Sequence, residues 1–196
     1  MCPKAVLFNT SPRPKGNTHD MLSTISEILE KSSIKSEIIQ AGGKLLKGCQ
    51  ACRDCYDTKD MKCRFNDEIN FYFKKMVEAD VIILGSPTYF SDLTTEAKAI
   101  IDRCGYLNRA NDQPLYRKIG AAVVPVRRAG GMHVFDSLNH FFLINNMIVP
   151  GSGYWNISIA REPGDYLKDQ EGVNTMKQLA ANICWLVERT MNQKEK

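Results

Sequence analysis

The chain has 196 residues, of which 43% are apolar, 24% charged and 9% aromatic. This is ordinary for a globular protein and excludes disordered, collagen-like and fibrous classes. Its 26 basic and 22 acidic residues leave a net charge of +4 without a basic run, so nucleic acid is not an expected partner. The longest apolar stretches are about eight residues, as at 119–126, whereas a membrane helix needs about 20. The first residues carry no apolar run long enough for a secretory signal. The expectation is a single cytoplasmic domain over 1–196 with no membrane partner.

In chain order, the hydrophobic period switches repeatedly between strand and helix, the pattern of an α/β fold. Ala5 to Phe8 read as a buried strand. A helix follows with Met21, Leu22, Ile25, Ile28 and Leu29 inward, Asn17 as its N-cap and Asp20 three residues on. A second strand lies near Ile34 to Ile39. Residues 41–68 carry little periodicity, so something other than apolar packing must order them. A helix with Ile69, Phe73, Met76 and Val77 inward leads to the strand Asp80 to Gly85, whose Val-Ile-Ile-Leu centre places it mid-sheet. Leu93, Ala97, Ile100, Ile101 and Cys104 share one face of the next helix, and Ala121 to Val126 form a fourth strand. Gly130 and Gly131 open another helix, and Trp155 to Ala160 read as a fifth strand. Val173, Met176, Leu179, Ala180, Ile183, Cys184 and Val187 line a last helix, and 192–196 read as a solvated tail. Five strands alternating with five helices predict a doubly wound parallel sheet, in which ligands bind at the carboxyl ends of the strands.

Three loops at that rim stand out. After the first strand, residues 10–18 (TSPRPKGNT) join strand to helix with Ser11, Arg13, Asn17 and Thr18 as donors, and a helix N-terminus favours an anion. The glycine spacing fits neither a nucleoside-triphosphate nor a dinucleotide loop, which leaves a phosphomonoester, or simply a polar turn. After the third strand, Pro87, Thr88, Tyr89 and Phe90 offer a rigid turn and two rings suited to a planar ligand, or to capping the sheet edge. After the fourth, Arg127, Gly130 and Gly131 permit close backbone approach and supply positive charge for a reduced ring, or form a solvated basic turn.

The chain at this point resembles the NAD(P)H-dependent FMN reductase group of flavodoxin-like proteins. The resemblance rests on Ser11-Pro-Arg with Gly16-Asn-Thr, on residues 85–90 (GSPTYF), on Lys98 with Asp102-Arg103, and on residues 127–131 (RRAGG). It reaches from about Lys4 to Val187. It implies a five-stranded sheet of order 2-1-3-4-5, with the FMN phosphate at Ser11, Arg13, Asn17 and Thr18. The isoalloxazine would then lie at Pro87, Thr88, Tyr89, Phe90 and Gly130. Thr10 departs from the glycine common there.

Four of the seven cysteines fall within 49–63. Cys49, Cys52, Cys55 and Cys63 spell CxxCxxC with a fourth cysteine after seven residues, and two-residue spacers let thiolates converge on one inorganic core. The pattern differs from the common bacterial cluster run in its longer last spacer and in Arg64 where that run has proline. A [4Fe-4S] cluster, a zinc ion and uncoordinated thiols are the alternatives, although structural zinc usually takes two separate CxxC pairs. Cys104 and Cys184 read as core and Cys2 as exposed, while Trp155 and Trp185 read as core or interface. His19, His133 and His140 form no ligand spacing, and no general acid or base is expected. Motif and loops together are similar to the iron-sulfur flavoprotein branch of the family. That likeness implies one [4Fe-4S] cluster on the four cysteines, FMN as above, a homodimer or homotetramer, and a ferredoxin-like carrier or NAD(P)H as electron donor. The alternatives are a clusterless NAD(P)H-dependent FMN or quinone reductase and a non-enzymatic flavin- or zinc-binding module.

Overall fold

The structure is a computed structural model, which describes residues 2–191; the expected tail at 192–196 lies outside them. Strands β1 (Lys4–Asn9), β2 (Lys35–Gln40), β3 (Val81–Gly85), β4 (Ile119–Val126) and β5 (Ile157–Ile159) form one all-parallel sheet of order β2-β1-β3-β4-β5. Side chains alternate across it. Ala5, Leu7, Val81, Ile83, Ala121 and Val123 meet α1 (Asn17–Lys31) and α6 (Gln170–Met191) on one face. Val6, Phe8, Ile82, Leu84, Ala122 and Val124 meet α3 (Glu68–Glu78), α4 (Thr95–Ala110) and α5 (Gly131–Ile144) on the other. β3 and β4 are buried along their whole length, as two-sided coverage of a parallel sheet requires.

Four local expectations need correction. First, β5 has only three residues, because the edge of β4 is shared. Ile148 bridges to Ile119 and accepts from the Gly120 N–H before the chain swings out and returns at Ile157. Second, of the core and interface readings of Trp155 and Trp185 the core one fails, since both lie on the surface, 50% and 56% exposed. Third, an additional helix, α2 (Asp54–Thr58), lies in the cysteine-rich segment, and a 3₁₀ turn (Asp165–Lys168) precedes α6. α2 buries no residue and is bounded by left-handed Arg53 and Lys59, so it leaves no periodic signal. Fourth, Gly16 rather than Asn17 is the N-cap of α1, and it provides no side-chain cap. The Asn17 amide is used across the fold instead, donating to the Glu162 carbonyl at 2.9 Å and accepting from the Tyr166 N–H at 3.2 Å.

Candidate functional site

At the carboxyl ends of β1, β3, β4 and β5 a cleft of ≈ 310 Å³ opens, lined among others by Ser11, Arg13, Asn17, Thr18, Pro87, Thr88, Tyr89 and Arg127. The loop after β1 is built from its own polar side chains. The Asn9 carboxamide accepts from the Ser11 N–H at 3.1 Å and donates to Gln40 at 2.7 Å, and Gln40 in turn donates to the Ser11 carbonyl at 2.8 Å. Thr10 is fully buried: its hydroxyl donates to the Gly85 carbonyl at 2.8 Å and its carbonyl accepts from Thr94 at 3.1 Å. The side chain thereby ties the loop to β3. With Gly16 giving no side-chain cap, the first turn of α1 lines the cleft together with Arg13 and Arg127, an arrangement suited to an anion, while Arg161 is paired with Glu162 at 3.1 Å on the same wall.

Phe90, Gly130 and Gly131 are not on the cleft walls. Phe90 and Ser91 both have positive φ, in a tight turn closed by hydrogen bonds between Tyr89 and Asp92, and Phe90 projects wholly into solvent. Gly130, at φ 87°, packs against Ser91, and Gly131 is buried against Val126 and Ile157. These two glycines let α5 start close beneath the rim. Sequence reasoning missed Gly16, Pro125, Ala160, Arg161 and Glu162 on the walls. It also missed Gly42, where a Cβ would fall 2.1 Å from the Ser11 carbonyl oxygen. Glycine after a strand was the available signal there.

The four cysteines line a second, much smaller cavity of ≈ 20 Å³ with Phe65, Arg103 and Tyr106. Burial pushes the Cys55 thiol up, as do the neighbouring Cys63, Cys52 and Cys49 sulfurs. Among the described residues no three His, Cys, Asp or Glu side chains are drawn together tightly enough to hold a single metal ion. Asn70 of α3 clamps the end of the segment, accepting from the Cys63 N–H at 2.7 Å and donating to the carbonyls of Cys63 and Phe65. Asn111 accepts from the Met61 N–H at 3.0 Å. Between Cys49 and Cys63, Ala51, Arg53, Lys59 and Met61 all hold positive φ, a backbone that persists only where its surroundings impose it.

The chain forms a five-stranded sheet of order β2-β1-β3-β4-β5 with a cleft at its strand tips, and the profile described as NADPH-dependent FMN reductase matches residues 3–162. The chain belongs to the NADPH-dependent FMN reductase family. It is accordingly an FMN-dependent flavoprotein and an oxidoreductase. An iron-sulfur flavoprotein of Methanocaldococcus jannaschii is 34% identical, over 94% of this chain and 97% of that one. An iron-sulfur flavoprotein of Methanosarcina thermophila is 28% identical, over 95% of this chain and 96% of the other. The fold matches that of RosB solved with the intermediate 8-demethyl-8-formylriboflavin-5'-phosphate. The TM-score is 0.75 at 20% identity, covering 97% of this chain and 81% of that one.

Proposed function

We propose that this family member exchanges electrons between FMN in the strand-tip cleft and a [4Fe-4S] cluster on Cys49, Cys52, Cys55 and Cys63, and passes them to or from a small carrier. The observation that carries the reading is that all four motif cysteines line one cavity in a chain whose cleft has the charge and shape for a flavin phosphate. When bound, FMN supplies interconversion of one- and two-electron steps, and the cluster supplies one-electron transfer. The donor set has the composition for that cluster: four thiols and no histidine line one cavity. Arg13 and the first-turn amides of α1 would hold the phosphate. Ser11, Asn17 and Thr18 would position it, and Pro87, Thr88 and Tyr89 would lie along the ring with Arg127 at its electron-rich end. Phe90 would reach the ring or a partner, and Gly130 and Gly131 would shape the rim.

The soluble donor is a ferredoxin-like carrier or NAD(P)H, and a cytoplasmic location fits the free thiols. Exposed Phe90, Leu143, Ile144, Trp155 and Ile159 suit burial between copies in a homodimer or homotetramer. The second reading, a clusterless NAD(P)H-dependent reductase, draws on the family description alone.

Protein purified without oxygen should contain about four irons and four sulfides per FMN, as the cluster type demands. Stoichiometric zinc without sulfide would overturn the reading. Cys63→Ser should lose or cripple the cluster and keep FMN. Loss of FMN as well would show that the two sites are not separate.

A further inference from the structure

Arg103 of α4 is 1% exposed, and burying a guanidinium is costly unless it is fully paired. Its two terminal nitrogens are paired. They meet the Asp67 carboxylate as a fork at 2.5 and 2.8 Å, and one also donates to the Lys47 carbonyl at 3.1 Å. Lys47 lies just before Cys49 and Asp67 just after Cys63, so one side chain holds both ends of the cysteine segment. Its Cζ sits over the Phe65 ring, 5.4 Å from the ring centre. The third donor, Nε–H, is buried and has no hydrogen-bond partner, and the residue lines the cysteine cavity.

The electrostatics are one-sided. Arg103 lines the cysteine cavity and Asp67 does not, so the cationic end of the pair faces the thiols. A guanidinium keeps its charge throughout the accessible pH range, and the Asp67 carboxylate pairs with it. Of the guanidinium's donors only the Nε–H is buried without a hydrogen-bond partner.

Resting on the function proposed above, we infer that Arg103 is a positioning residue of the cysteine site. Its terminal nitrogens clasp the two ends of the loop, while its charge and free Nε–H lie against the cluster sulfurs and raise the cluster's reduction potential. Cluster reduction adds one electron, and hence one negative charge, to an already anionic core. A fixed cation and a hydrogen bond to sulfur both stabilise the reduced form more than the oxidised one.

The test compares the wild type with Arg103→Gln, Arg103→Lys and Asp67→Asn, all prepared without oxygen. Iron and sulfide are measured first, and the cluster is then titrated with dithionite and followed by electron paramagnetic resonance. A wild type without iron and sulfide refutes the cluster itself rather than the role of Arg103. Given a cluster, Arg103→Gln should lower the reduced-to-oxidised ratio at fixed potential at least tenfold, about 59 mV for a one-electron couple. Arg103→Lys should recover part of that shift. Asp67→Asn keeps an N-cap for α3 and removes the compensating charge, so its potential should move the opposite way. An unchanged potential in cluster-loaded Arg103→Gln, or a shift of the same sign in Asp67→Asn, overturns the inference. If Arg103→Gln does not hold a cluster, the direction of the Asp67→Asn shift decides.

Discussion

Arg13 and Gly42 show how single residues set the affinity of the cleft. Arg13 is exposed, lines the cleft and forms no ion pair among the described residues, so its charge is free for a ligand. A charge-assisted hydrogen bond lost at a solvent-facing phosphate is worth about 1.4 kcal/mol, or tenfold. Arg13→Ala should therefore weaken FMN roughly tenfold and riboflavin hardly at all, as fluorescence titration of the flavin would show. At Gly42 an added methyl would meet the Ser11 and Thr10 carbonyl oxygens at 2.1 and 2.5 Å, both of them backbone, so the loop after β1 must move. Gly42→Ala should weaken FMN and lower the melting temperature together. Tyr72 makes a prediction about stability. Its hydroxyl is buried without a partner, and burial, with Glu68 and Asp67 nearby, pushes its pKa up to about 12. The unfolded chain ionises this group near pH 10 and the folded one only near 12. Stability is therefore intact below pH 10 and should fall by roughly 2–3 kcal/mol as pH rises to 12. Tyr72→Phe should abolish that part of the alkaline slope and cost nothing at pH 7, as urea unfolding at both pH values would reveal.

At the level of elements, the turn after β3 is under strain. Phe90 and Ser91 occupy the left-handed region, which disfavours ordinary L-residues by about 1–2 kcal/mol each, and the projecting Phe90 ring gains no packing in return. Phe90→Asn should stabilise the FMN-free protein by up to about 1 kcal/mol in chemical denaturation while weakening whatever the ring contacts. The strands and long helices were legible because burial on both faces writes a continuous apolar run or a helical stripe, as in β3 and α1. α2 and the Ile148 bridge were not. Each is held by a few backbone hydrogen bonds and by side chains distant in sequence, which no local period records. The Asn17 cap failed for a related reason: hydrogen bonds to Glu162 and Tyr166, some 145 residues away, won over the local cap.

Across the whole molecule, the parallel order β2-β1-β3-β4-β5 brings the loops after β1, β3 and β4 to one rim. The sequence could therefore point to most of the cleft walls before any coordinate. It could not point to Ala160, Arg161 and Glu162, because an arginine beside a glutamate in a loop reads as an ordinary solvated ion pair. The cysteine spacing singled out the four thiols that line one cavity, but not the arginine on another helix beside them, which only tertiary packing places there. In the proposed electron path the two sites act in series. Reduction by a ferredoxin under anaerobic stopped flow, with flavin and cluster absorbance followed separately, tests it most directly. The cluster should be reduced before FMN in the wild type, and FMN reduction should slow at least tenfold in FMN-loaded Cys63→Ser. Equal rates of flavin reduction in the two proteins would contradict it.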